Sequence, residues 1–279
     1  MAENRPITVV NANSKSASNG LSTLWNYREL LGSLSRRDFR VRFVQTRLGY
    51  IWAIIQPLFL IAILTFLFSK VLSVSTGHVP YPLFALSGQI LWSFFSYSAV
   101  QGGQSLVQAQ HMIRKIWFPR IVLPFSKAGV GLIDLAIGLV LLLALMPIFN
   151  MPYSTSMALI LLAVLFTVVA GMGISLWTSS LGIKYRDIQH ALPYVIQFLF
   201  FLTPVAYPSG ILGRAVGESN TWIAYLNPMA GPIDIARYGL FGGEINSSHV
   251  SISCAIAFFV LISGWIYFHK VERNMADTL

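Results

Sequence analysis

Charge is scarce in this chain: Asp, Glu, Lys and Arg make up 10% of its 279 residues, against roughly a quarter in soluble domains. That excludes an ordinary water-soluble fold. Apolar residues make up 55% and fall in long uncharged runs, so the solvent for most of the chain is lipid. Cysteine is nearly absent. The lone Cys254 excludes an internal disulfide or a cysteine-based metal site and reads as a small buried hydrophobe. No Gly-x-x-x-x-Gly-Lys-Ser/Thr and no Gly-x-Gly-x-x-Gly string occurs, so a nucleotide has no recognisable cradle here. His-Glu-x-x-His and Cys-x-x-Cys are also missing, and His78, His111, His190, His249 and His269 are scattered. Metal or hydrolytic chemistry within the chain has no support. Residues 1–20 are polar with no apolar core, which excludes a secretory signal and predicts a disordered cytoplasmic tail.

What is present predicts an all-α membrane protein. A crossing needs about 20 apolar residues, and the alternation of a barrel is not seen. The uncharged run from Leu48 to Ser69 supplies a first span and residues 83–106 a second. The stretch from Leu135 to Ile183, 49 residues without a formal charge, is too long for one crossing. The turn signal around Asn150, between Pro147 and Pro152, divides it into spans at 128–149 and 157–181. Runs at 191–207 and 250–268 complete six transmembrane helices.

Basic residues orient them. All the lysines and arginines but Lys70, Arg214 and Arg237 fall before the first span, between spans two and three, between four and five, or after six. Both termini are therefore expected in the cytoplasm. The same asymmetry accounts for the net charge of +9 without nucleic acid.

Three segments are not spans. In residues 21–47, Leu24, Tyr27, Leu31 and Leu34 recur at helical spacing with Arg28, Arg36 and Arg37 between them, predicting an amphipathic helix in the membrane interface. It is either a simple anchor or a cluster of guanidinium forks, with Arg36, Arg40, Arg42 and Arg47, that gathers an anionic headgroup. The string His111 to Arg120 is short, basic and aromatic. Ile116, Trp117 and Phe118 make it either an interfacial anchor or a knob for a cytoplasmic partner. Residues 208–250 hold several glycines yet remain apolar, which predicts short re-entrant helices between spans five and six.

Inside the spans, Asp134 is a costly carboxylate, read as a structural hydrogen-bond partner with Lys127 two turns earlier as its mate. Trp52, Phe59 and Phe66 recur every seven residues in span one, and Tyr194, Phe198 and Phe201 share one face of span five. Such stripes are lipid-facing or core packing, or flat platforms for sugar rings in a conduit.

Four strings carry a resemblance. Arg37 through Pro57, Ile113 through Arg120, Leu202-Thr-Pro-Val-Ala-Tyr-Pro208 and Leu226-Asn-Pro-Met-Ala-Gly231, in that order relative to six spans, resemble the polysaccharide-export permeases of type-2 ABC transporters. The resemblance covers residues from about 24 to 270 and is nearest in character to the O-antigen and capsule exporters, with teichoic acid exporters as relatives. It implies a homodimeric permease in the bacterial inner membrane, paired with two copies of a separate ATP-binding subunit. ATP and Mg would sit on that partner, and no cofactor is expected in this chain. The substrate implied is a glycan on polyprenyl pyrophosphate or another lipid carrier.

The resemblance also implies roles. Arg114, Lys115, Ile116, Trp117, Phe118, Pro119 and Arg120 would couple to the ATPase. Arg36, Arg37, Arg40, Arg42 and Arg47 would meet the lipid pyrophosphate, and Trp52, Phe59, Phe66, Tyr194, Phe198 and Phe201 would line the glycan conduit. Residues 48–270 would form the permease domain, with 271–279 a second cytoplasmic tail. Two other readings stand beside this one: an ABC permease for a drug or small lipid, and a membrane scaffold or transferase of a glycan-synthesis complex.

Overall fold

The structure, a computed structural model, describes residues 20–211 and 217–274. Of the tail predicted over 1–20, residues 1–19 lie outside these, as do the last five residues, and Gly20 already opens a helix. Every regular element among the described residues is helical. Five helices are long and apolar enough to cross a membrane: Gly49–Val71, Tyr81–Gln108, Val122–Ile148, Thr155–Lys184 and Ser247–Glu272. They fall within a few residues of the predicted spans one to four and six.

The chain begins with α1 (Gly20–Asn26) and α2 (Arg28–Phe43), where the sequence predicts one amphipathic helix. A left-handed Gln45 ends this region, so Arg47 lies on a turn rather than on the helix. The first crossing is a short 3-10 turn (Gly49–Ile51), α3 (Trp52–Leu64) and a wider π turn (Thr65–Val71). The bundle's spine is α4 (Tyr81–Gln108), entered through Pro80 and Pro82, whose fixed φ suits a first helical turn. A one-turn helix α5 (Gln110–Ile113) leads into an irregular elbow at 114–120 and then α6 (Val122–Ile148). Asn150, in the left-handed region, turns the chain toward α7 (Leu159–Lys184).

The core forms where α4 meets α6 and α7. Leu83, Leu86, Leu91, Phe94 and Phe95 are fully or almost fully buried there. Helix α10 (Ser247–Asn274) crosses α7 at two facing glycines. A Cβ on Gly173 would sit 2.7 Å from the Leu261 nitrogen, and one on Gly264 would sit 2.7 Å from the Gly173 oxygen. Small residues let two backbones approach in lipid, where no hydrophobic force draws helices together. Beside that crossing, Trp177 stacks on Tyr267 at 4.5 Å and donates to Ser263 Oγ at 3.0 Å.

Helix α8 (Arg186–Leu202) departs from the predicted fifth span. It has 17 residues, about 26 Å at 1.5 Å per residue, which is short of the ~30 Å hydrocarbon core. The helix stops because Pro204 follows: Thr203 takes an extended conformation (φ −97°, ψ 137°), as a residue before proline prefers. The chain nonetheless runs the length of α4. Gln104 Nε2 donates to the Gln189 carbonyl (3.3 Å) near one end, and Tyr81 Oη donates to the Ala206 carbonyl (2.7 Å) at the other. Beyond it lie a 3-10 segment (Glu218–Leu226) and α9 (Ala230–Phe241), which Gly242 ends with a positive φ.

Candidate functional site

A second apolar cluster fastens α2 to one end of the bundle. Leu34 packs there with Leu106, Phe118, Val122, Leu176 and Phe268, and the predicted apolar face, Leu24, Tyr27 and Leu31, lies against it. Helices α2 and α6 run side by side in the same direction, joined by three polar rungs. Ser35 Oγ donates to the Ser126 carbonyl (2.8 Å), Lys127 pairs with Asp38 (2.8 Å), and Arg42 donates to Asp134.

The third rung corrects the expected Lys127–Asp134 pair. Lys127 is held one rung earlier by Asp38, and the parallel course of α2 brings Arg42 level with Asp134 instead. Arg42 also reaches Gln56 of α3 (3.4 Å) and lies 5.9 Å from the Tyr97 ring of α4. It therefore sits where α2, α3, α4 and α6 meet. A carboxylate in this setting is tolerated because a guanidinium shares its site. Asp38 is a triad member: burial pushes its carboxyl up, but hydrogen bonds and charge from Lys127 and Arg37 outweigh this and hold it below the usual range.

The five predicted arginines thus divide. Arg37 is tied to its neighbour Asp38 (2.8 Å) and Arg42 to Asp134. Arg36, Arg40 and Arg47 are exposed, with no carboxylate in ion-pair range among the described residues.

The elbow lies at the same end. Phe118 is 8% exposed and plugs the apolar cluster, while Trp117 is 72% exposed and Ile116, Arg114 and Lys115 stand out beside it. Pro119 disfavours helix at Phe118, so this segment is a one-turn helix followed by an irregular arm. The arm is pinned from behind. The Arg120 N–H donates to Glu272 Oε1 (3.1 Å) and Arg120 Nη1 to the Glu272 carbonyl (3.2 Å), in the last turns of α10. Nothing in the sequence pairs these two residues, which are 152 positions apart.

The aromatic stripes are on the surface of the single chain. Phe59 is 67% and Phe198 72% exposed, with Trp52, Phe66, Tyr194 and Phe201 exposed beside them. Helices α3 and α8 flank α4. Leu60, Leu64 and Phe68 from the first crossing meet Phe200, Ala206 and Tyr207 around Tyr81 and Ala85.

At the far end, Arg237 of α9 is a feature that charge counting alone does not resolve. Its Nη1 donates to the Pro204 carbonyl (2.7 Å), its Nη2 to the Val205 carbonyl (2.6 Å), and its guanidinium lies 3.6 Å over the Phe84 ring. These carbonyls belong to the non-helical residues that follow α8. The readable signal is an arginine in an apolar segment that follows two closely spaced prolines, Pro204 and Pro208.

Comparison with known proteins follows this geometry. The family described as "ABC-2 type transporter" matches residues 29–241. The chain is 28% identical over 252 residues to the O-antigen export system permease protein RfbA of Klebsiella pneumoniae, covering 90% of this chain and 95% of that relative. It is 28% identical over 207 residues to the protein of the same name in Myxococcus xanthus, covering 74% of this chain and 78% of the relative. Over 239 residues it is 25% identical to the polysialic acid transport protein KpsM of Escherichia coli, covering 84% and 89%.

Proposed function

The chain belongs to the ABC-2 type transporter family, and from that premise we propose that it is the transmembrane subunit of an ATP-driven exporter of a lipid-linked polysaccharide, of the O-antigen or capsule type, in the bacterial inner membrane. The observation that carries the substrate class is the 252-residue similarity to O-antigen export permeases, which takes in nearly the whole chain. The subunit is not an enzyme by itself. A separate ATP-binding subunit, present in two copies beside two copies of this chain, supplies ATP and Mg.

The exposed Trp117 and Ile116, backed by the buried Phe118 and the Arg120–Glu272 clasp, support a role for the elbow in docking to that ATPase. A protruding aromatic on a braced arm is the form that a hot-spot contact takes. Arg36, Arg40 and Arg47 stand ready for the pyrophosphate of the lipid carrier at the same end, with Arg42 beside them in its pair with Asp134. The exposed stripes of α3 and α8 offer ring faces to passing sugars once a second protomer closes the space.

The path of residues 186–207 along α4 supports a sixth crossing formed by α8 and the turns that continue it. An even number of crossings returns the carboxyl end to the side of α2, so both termini are cytoplasmic, in line with the lysine and arginine bias. Helix α9 and the 3-10 segment before it then lie on the outer side as re-entrant pieces. Deletion in the native host tests the assignment: surface glycan is expected to disappear while lipid-linked glycan accumulates inside. Unchanged surface glycan overturns it, and an ATPase response to small drugs but not to glycolipid favours a drug permease.

A further inference from the structure

At the end of the bundle away from the elbow, a cavity of about 760 Å³ opens between α9, the start of α10 and the residues after α8. Its volume lies within the ~300–1,000 Å³ of small-molecule sites. Its walls are unlike the rest of the membrane-embedded surface. Asp234, Glu244, Tyr225, Tyr238 and His249 line it together with the Arg237 guanidinium already described.

Each group has a definite state. Tyr225 is buried and donates to Asp234 Oδ2 at 2.6 Å, and its ring lies 5.2 Å from that of His249. Ser209 bonds the same carboxylate, and with two lone pairs on each oxygen Asp234 keeps acceptor capacity beyond these two bonds. Glu244 is exposed at the rim, and Tyr238 is half-buried. Arg237 is 7% exposed, its Nη atoms are spent on backbone carbonyls, and its Nε has no partner. A buried polar atom left unpaired costs stability unless some ligand or water meets it.

The chemistry selects among ligands. Asp234 and Glu244 line the wall, and the Nη donors of the one guanidinium there are already engaged, so a phosphate or another anionic headgroup finds no free cationic fork. A metal ion is also a poor fit, because no trio of His, Cys, Asp or Glu among the described residues is placed to hold one. Carboxylate acceptors, hydroxyl donors and a partly open ring together suit a neutral polyol, whose hydroxyls donate in pairs and whose C–H face packs on an aromatic.

We infer that this cavity is an outer-side saccharide subsite that takes one or two sugar residues of the exported glycan as it leaves. The inference rests on the proposed glycan substrate and adds a contact separate from the aromatic stripes. By holding emerging sugar through hydroxyl contacts, Asp234 and Glu244 oppose back-sliding between ATPase cycles.

The test is direct binding to the full-length chain in lipid nanodiscs. The probes are oligosaccharides of one to three repeats, prepared by partial hydrolysis of the host's surface polysaccharide, with inorganic phosphate as comparison. Wild type is expected to bind the oligosaccharide and not phosphate, and Asp234→Asn with Glu244→Gln to weaken that binding at least tenfold. Glu244→Gln changes an exposed side chain, so its folding is secure, and it alone should weaken binding several-fold. Unchanged binding in Glu244→Gln and in the double variant overturns the subsite, as does phosphate binding that competes with the sugar. The glycan reading itself stands or falls separately on whether deletion removes surface glycan.

Discussion

The Arg237 guanidinium donates to the Val205 carbonyl at 2.6 Å, tying the short helix α9 to the point where α8 has come apart. Backbone that leaves the helix inside an apolar surround has carbonyls with no helical partner, and here the Arg237 side chain bonds those of Pro204, Val205 and, at 3.4 Å, Tyr207, with Tyr81 taking that of Ala206. Replacing Arg237 with Met keeps the stem and removes every donor. About 1–3 kcal/mol is expected for each buried acceptor left bare. The variant should insert poorly or melt well below wild type in detergent, and Lys should rescue only partly because one ammonium lacks the fork. A melting temperature equal to wild type for Arg237→Met would remove this account of the break.

The elbow gives a different outcome because its exposed residues do not hold the fold. Arg114, Lys115 and Trp117 all face outward, so changing the three to alanine should leave yield and thermal stability within the small range of surface substitutions. Co-purification with the ATP-binding subunit should be lost. Normal complex recovery together with normal export would exclude the docking role.

The Arg42–Asp134 rung joins α2 to α6 across 92 positions of sequence. Removing either charge alone leaves the other without its ion-pair partner at a partly exposed site. Asp134→Asn or Arg42→Gln should each cost on the order of 1 kcal/mol, while the double variant costs less than the sum. Thermal melting of the four proteins checks this. Strict additivity would mean that the two groups do not share a site.

These cases also mark where sequence reading stops. The uncharged runs at 83–106 and 157–181 place α4 and α7 closely, because lipid demands length and apolarity that hydropathy records directly. The apolar face of α2 is equally plain from Leu24, Tyr27, Leu31 and Leu34. Hydropathy carries the fifth span on to residue 207, yet Pro204 stops α8 at Leu202, because apolarity and helicity are different properties. Ion-pair partners are harder. Lys127 is the nearest cation in sequence to Asp134, but the observed pairing depends on the parallel placement of α2, which no local pattern encodes. The exposed stripes are legible as stripes, whereas their spacing does not encode what they face.

Acid should loosen α2 before it unfolds the bundle. Asp38 is held below the usual carboxylate range in the folded protein, its burial being outweighed by Lys127 and Arg37. A depressed carboxylate contributes stability that is fully present above the unfolded value, near 3.9, and is lost as pH falls through the lower folded value. Protection factors of residues 28–43, with exchange corrected for its intrinsic pH dependence, should therefore fall as the pH drops below the unfolded carboxylate value, and Asp38→Asn should show the lower protection already at neutral pH. Protection of α2 that is unchanged by that acidification would deny the ion pair an anchoring role.

Phe59 and Phe198 separate packing from passage. Both are largely exposed on the single chain, at 67% and 72%, so truncation to alanine leaves no internal cavity and should cost the bundle under about 1 kcal/mol. If these rings meet sugar faces, each truncation removes a stacking contact worth on the order of 1 kcal/mol along the path. The pair should then lower export several-fold at unchanged membrane abundance. Lipid-facing rings predict no export defect, and rings buried by the second protomer predict a fall in dimer and abundance before any fall in export. Quantifying surface glycan against permease in the same membranes therefore distinguishes all three, and only a loss of export at constant abundance and dimer content fits a conduit.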